Sequence, residues 1–524
     1  MSSSAAGDAS VFEHPQFLIF TTRSGAQYLF DAATLTAHPL CRPVSGEQCA
    51  ALYEAGDDAL RAAAAGENGV SALSAYMLTW RRTARAFGAA HRCCPGRAAG
   101  ITDDLARSSV QSRVWTPAPS TLSNLILVLT KDCNLRCDYC IYSGLYRGFE
   151  PLGKSFMSRE TALKAVDIFL SLNDTDYFRS IPDRKLDISF YGGEPLLCSD
   201  MLEEVIGYAR SRSSGRFRLH FSLTSNLTAL TKKAARFLVS NRIGLNCSLD
   251  GPAAEHDRYR RFPSGKGTFD AVRRNLELLR SMDKAYFNEQ VRALVTINGN
   301  SDLEAICRFF DDPAQKAPQI AFVNVLRDLA TGDFHQRYPF DPGRYRQQHD
   351  RVLDEYFSRK RNKVPVLQGS FLYHYVEESL IGAYGRIMKF GGGCHDHFTG
   401  TCQPGRRLTV ATDGVFHICE RISEEFPIGS VHEGLDMERC NEVMQRYHAS
   451  LPSCDRCWAR GMCHLCFAHA GRDGGFHFPE EQCRFARAVA LDKLVTLYSL
   501  LEETPDALSF GDPLVDRYRF LDAG

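Results

Sequence analysis

Between residues 122 and 325 six short apolar runs alternate with amphipathic stretches, and this alternation constrains the fold more than anything else in the 524-residue chain. The runs at 125–130, 186–191, 219–224, 244–249, 291–297 and 319–325 read as strands. The stretches near 158–172, 200–210, 230–240, 267–281 and 301–310 read as helices. In the first of these Leu163, Val166, Phe169 and Leu170 recur at helical spacing, and Ser158 stands in position to cap. Strands joined by helical crossovers predict a parallel α/β domain, which the pattern leaves open as a flat sheet or a partial barrel.

Directly after the first strand run come Cys133, Cys137 and Cys140, three thiols in a short polar loop. Thiolates at such spacing suit an iron–sulfur cluster or a zinc ion. Three thiolates hold three irons of a cubane and leave the fourth open to a ligand. Zinc asks for a fourth nearby ligand, and no histidine lies close to this run.

Nineteen cysteines are many for a chain of this length. A disulfide framework fits small exported proteins better than this chain, whose small, polar N-terminal stretch is no export signal. The expectation is therefore a soluble, cytoplasmic protein whose thiols serve metals. Lys plus Arg and Asp plus Glu balance at 62 each, which gives no sign of a nucleic-acid partner, and no apolar run is long enough to span a membrane.

The remaining organisation reads as follows. Segments 16–21 and 27–30 flank a Ser24-Gly25 turn as a hairpin, with a further strand at about 35–40. A helix from Ser45 and Ala-rich helical stretches at 57–65 and 73–90 complete a small domain, closed off by Pro117-Ala-Pro119. Helices are expected at about 342–359 and 371–387. From Gly391 to Cys483 the chain is rich in cysteine, glycine and histidine, and a helical tail follows. The resulting division is 1–115, 120–335, 336–390, 391–485 and 486–524.

Cys133-x3-Cys137-x2-Cys140 at the end of a first strand resembles the signature of the radical S-adenosylmethionine superfamily. The resemblance implies a partial (β/α)6 TIM-type barrel in which the three cysteines hold a [4Fe–4S] cluster whose open iron binds S-adenosylmethionine. Tyr139 matches the position whose backbone meets the adenine. Gly192, Gly193 and Glu194 in Tyr191-Gly-Gly-Glu-Pro195 match the motif that holds the methionine amino group. Ser225 or Asn226 then binds ribose or carboxylate, and Thr296 is a weaker cofactor candidate. Ser248-Leu-Asp-Gly251 followed by His256-Asp-Arg-Tyr-Arg260 resembles the run in which serine and arginine bind S-adenosylmethionine. Arg260 suits a carboxylate by its fork, whereas His256 and Asp257 read rather as loop ties.

The later cysteines resemble a SPASM module, a twitch-type domain with two further [4Fe–4S] sites. The family pattern assigns Cys394, Cys402, Cys419 and Cys466 to one and Cys454, Cys457, Cys463 and Cys483 to the other. Here Cys463 and Cys466 are separated by two residues where the pattern has three. Cys440 lies between ligands as a spare, while Cys41, Cys49, Cys198, Cys247 and Cys307 read as buried apolar residues.

Together these features resemble the peptide-modifying maturase group, with a winged-helix-like N-terminal domain that takes a leader peptide by strand pairing. The implied reaction is hydrogen abstraction by a 5′-deoxyadenosyl radical, then closure of a thioether or carbon–carbon crosslink in a ribosomally made precursor. Glu420, directly after Cys419, is the candidate base. Reduction would come from an external donor such as flavodoxin or ferredoxin. The alternatives are oxidation of Cys or Ser to formylglycine, as in anaerobic sulfatase maturation, and a non-enzymatic iron–sulfur electron carrier.

Overall fold

In the computed structural model the described residues are 11–40, 122–326, 334–389 and 407–508, with 48 and 51, less short breaks at 15–16, 33–35, 147–148, 180–183, 214, 423, 451–453, 455–456 and 473. Apart from residues 48 and 51, the helices expected between 45 and 90 lie outside them, as do Cys394 and Cys402.

Six strands, β5 (Asn124–Thr130), β6 (Lys185–Gly192), β7 (Arg218–Ser225), β8 (Gly244–Ser248), β9 (Val291–Ile297) and β10 (Gln319–Val325), pair in parallel and in sequence order. Each crossover steps one strand in the same direction. With right-handed connections this keeps the helices on one face, whereas a doubly wound sheet would reverse its order. The sheet is thus the wall of a partial barrel. The first crossover helix, α1 (Arg159–Leu172), buries Ala162, Ala165, Val166, Phe169 and Leu170, and Ser158 caps it by accepting from Thr161 N.

The sheet does not end at β5. β11 (Arg407–Val410) pairs parallel with β5, and β12 (Phe416–His417) pairs antiparallel with β11, which gives eight strands. β11 and β12, within the segment read as a cysteine-rich domain, thus belong to the barrel sheet. An uncovered β5 edge would leave a row of unpaired backbone groups, and β11 satisfies it.

At the N-terminus β1 (Phe12–His14), β2 (Phe17–Thr21), β3 (Gln27–Asp31) and β4 (Thr36–Pro39) form an antiparallel meander. It packs on α2 (Glu480–Glu503), a helix that runs through the expected boundary at 485 and carries Cys483 in its first turn. Phe20 and Tyr28 rings lie 5.8 and 5.0 Å from Tyr498, Arg23 N donates to Ser499 Oγ at 2.9 Å, and Thr22 and Ser24 hydroxyls donate to Glu502. Leu18, Phe20 and Phe30 belong to the main hydrophobic core. Among the described residues no helix is long and apolar enough to cross a membrane.

Candidate active site

All the site residues expected on the barrel, as far as they are described, stand at the C-terminal ends of β5 to β9, the end at which barrels of this type carry their chemistry. The cysteine loop leaves β5 and is pinned to the chain beyond Tyr259: Asp138 N donates to Tyr259 O at 3.1 Å and Arg136 N to Arg261 O at 2.8 Å. Its three thiols are free and perturb one another electrostatically. Burial pushes Cys133 and Cys137 up to about 12, so thiolates form here only where metal takes the place of the protons.

The glycine turn fits closely against this loop. Gly192 has φ +134°, and a Cβ there would meet Thr130 O at 2.3 Å; one on Gly193 would meet Asp132 O at 2.1 Å. Gly193 N and Glu194 N bond back to Thr130 O and Asp132 O at 2.7 and 2.9 Å. The glycines thus let two strand ends touch.

Glu194 is held from several sides. Its buried carboxylate accepts from Leu196 N (2.9 Å), Ser225 Oγ (2.7 Å) and Asn226 N (2.7 Å), and burial raises it to about 7 despite these donors. Its oxygens tie β6 to β7 through these protein donors. Asn226 in turn directs Nδ2 at Cys133 Sγ, 3.7 Å away, and at Asn134 Oδ1.

Arg260 likewise has a protein partner. Its Nε donates to Asp250 Oδ2 at 2.8 Å, while Nη1 stands 4.0 Å from Cys137 Sγ. Asp250 also accepts from Tyr139 OH and from Thr296 N (2.9 Å), so one carboxylate gathers β5, β8 and β9. Sequence reasoning quoted Asp250 within its motif and gave it no role, because a strand-end carboxylate reveals its partners only when folded. Tyr139 packs with Tyr259 and Phe334, and its carbonyl accepts from Tyr146 OH at 3.3 Å. The Ser248 hydroxyl, half-buried at the end of β8, makes no hydrogen bond among the described residues.

His256 and Asp257 act as ties: His256 Nε2 meets Thr268 Oγ1 at 3.0 Å, and Asp257 Oδ1 accepts from Thr268 N and Phe269 N. Lys131, beside the triad, is buried and bonds Glu150 at 2.7 Å and Glu424 at 2.9 Å, which fastens the segment after β12 to the cysteine loop. Tyr191 and Tyr142 each feel both Cys140 and Glu420. Burial holds both phenols above their ordinary range.

Of the later cysteines, Cys454 is perturbed by Cys463, Cys457 and Cys483, which places these four together. Cys419 and Cys466 share Arg421 as a neighbour. Cys440 and Cys247 are buried in the hydrophobic core.

Residues 127–308 match the Radical SAM superfamily. They form a radical SAM domain. The family implies a [4Fe–4S] cluster and S-adenosylmethionine, and the thiols of Cys133, Cys137 and Cys140 fit that cluster. The chain is 25% identical over 358 residues to the cysteine-type anaerobic sulfatase-maturating enzyme of Clostridium perfringens (strain 13 / Type A), covering 66% of this chain and 89% of that protein. It is 24% identical over 316 residues to the enzyme of the same description from Clostridium novyi (strain NT), covering 60% and 77%. The fold is similar to that of anSMEcpe with bound AdoMet, with TM-score 0.55, 20% identity, and coverage of 76% of this chain and 99% of that one. The radical SAM domain is thus related to sulfatase-maturating enzymes, with a shared fold.

Proposed function

We propose that this radical SAM protein modifies a side chain of a polypeptide, with a thioether or carbon–carbon crosslink in a ribosomally made precursor as the product. Glu420 carries this reading: its Oε2 is buried and has no hydrogen-bond partner among the described residues. A buried acceptor left unpaired costs about 1–3 kcal/mol, so its retention calls for a role. It stands beside Cys419 and shares Tyr142 and Tyr191 as neighbours with Cys140. In that position it takes the proton that a substrate thiol or similar group gives up when a new bond closes on carbon.

When bound, the clusters and S-adenosylmethionine supply the reductant, a radical that removes a substrate hydrogen atom, and an acceptor for the surplus electron. Cys133, Cys137 and Cys140 hold the catalytic cluster; Ser248 and Arg260 Nη1 are the groups left to meet the cofactor. Cys394, Cys402, Cys419 and Cys466 hold one auxiliary cluster, and Cys454, Cys457, Cys463 and Cys483 the other. Flavodoxin or ferredoxin is the reductant. The edges β1 and β4 offer backbone to a leader peptide.

Formylglycine formation is the second reading, favoured by the similarity to the cysteine-type sulfatase-maturating enzymes. Anaerobic incubation with a candidate precursor and mass spectrometry separates the two. Either crosslink loses two hydrogens and keeps any sulfur, and a thioether also resists thiol alkylation; conversion of cysteine to formylglycine loses the sulfur. S-adenosylmethionine cleavage accompanied by modification of no polypeptide would defeat both.

A further inference from the structure

We infer that Arg421 is the recognition point for a carboxylate on the substrate, and this rests on the polypeptide reading above. Arg421 follows Glu420 in the segment after β12. Its Nη1 donates to Asn324 Oδ1, near the end of β10, over a long 3.4 Å. It also lies in the field of Tyr191, on β6, of the adjacent Glu420, and of Cys419 and Cys466. The side chain is exposed to solvent.

Arg159, Arg212, Arg216 and Arg242 each close on a carboxylate, while Arg136, Arg261, Arg273 and Arg292 spend their N–H donors on backbone carbonyls. Arg421 closes on none among the described residues, and the neighbouring Glu420 carboxylate makes no ion pair with it. One long bond to an amide oxygen uses one of five guanidinium N–H donors. The remaining fork matches the two oxygens of a carboxylate. An acidic side chain and a free C-terminus present the same group.

The probe is a pool of short synthetic peptides carrying Asp, Glu, Asn or Gln at one position, with the C-terminus free or amidated. Full-length protein with reconstituted clusters is mixed with the pool, and retained peptides are identified by mass spectrometry. Carboxylate-bearing members are expected to be enriched roughly ten- to hundredfold over their amide counterparts. Arg421→Gln is expected to remove the preference and Arg421→Lys to keep a smaller part of it. A preference that follows the free terminus places the carboxylate at the chain end, and one that follows Asp or Glu places it in the side chain. Peptides retained without preference, or a preference that survives Arg421→Gln, overturn the assignment and leave the polypeptide reading standing. Retention of no peptide overturns both. Iron content in Arg421→Gln is expected to match wild type; a loss of iron overturns the assignment by making Arg421 a support for the Cys419 and Cys466 thiolates.

Discussion

Arg260 and Asp250 close a 2.8 Å ion pair beside the cysteine loop, and both side chains are buried. Breaking a buried pair by removing one partner leaves an uncompensated charge and costs about 3–5 kcal/mol. Arg260→Ala and Asp250→Ala are each expected to lose stability on that scale in denaturant titrations. The double replacement Arg260→Met with Asp250→Leu should recover part of it. An Arg260→Ala protein as stable as wild type would remove the pair from the framework of the site.

Replacing Cys133, Cys137 and Cys140 together by Ala should lower the iron content by about four atoms per chain. Cleavage of S-adenosylmethionine should cease. If 5′-deoxyadenosine still forms, the catalytic cluster is held elsewhere.

Glu420→Gln keeps the shape of the side chain and removes its basicity. Cofactor cleavage should persist while modified product falls by about 10²–10⁴-fold, the usual contribution of a positioned base. Equal loss of cleavage and product would point to a structural part for Glu420.

The N-terminal sheet shares the main core through Phe20, which is fully buried and packs on Tyr498. Phe20→Ala should cost about 3–5 kcal/mol, visible as a lowered Tm of the full chain. Deleting residues 1–115 therefore strips α2 of its cover, so a leader-binding test is cleaner with substitutions on the β1 or β4 edge. An unchanged Tm in Phe20→Ala would mean that the sheet rests on the body without supporting it.

His256 is buried, and its pKa is lowered from 6.5 to about 4 by that burial. The native state holds it neutral, with Asp250 N donating to Nδ1 at 3.3 Å and Nε2 facing Thr268 Oγ1. Below pH 6.5 the unfolded chain takes up a proton that the native state refuses until pH falls to about 4. Its contribution is therefore complete above 6.5 and declines across that window, by about 3 kcal/mol in total. Stability measured from pH 7 to 4 should fall less steeply in His256→Gln. A slope identical to wild type would assign the acid sensitivity to other groups.

Much of the barrel was legible because its signals are local. The runs at 291–297 and 319–325 coincide with β9 and β10, and Ser158 caps α1 as its spacing announced. β1 escaped notice because three residues carry no periodicity, and β11 because its reason for being a strand is the open edge of β5, far away in sequence.

By itself the sequence singled out the residues proposed to carry the chemistry: a cysteine triad after the first strand, a glycine turn after the second, and a second set of thiols towards the end. Spacing and side-chain type are enough for that, since ligand chemistry belongs to the residue. Only the tertiary structure decided how these groups are used. It committed Glu194 to Ser225 and Asn226, gave Arg260 to Asp250, and left Arg421 with a long bond to Asn324 and no carboxylate among the described residues. Hydrogen bonds and ion pairs depend on distances across strands that the chain order does not encode. Whether a charged group faces its own protein or is left for a ligand is therefore settled only when the strand ends meet.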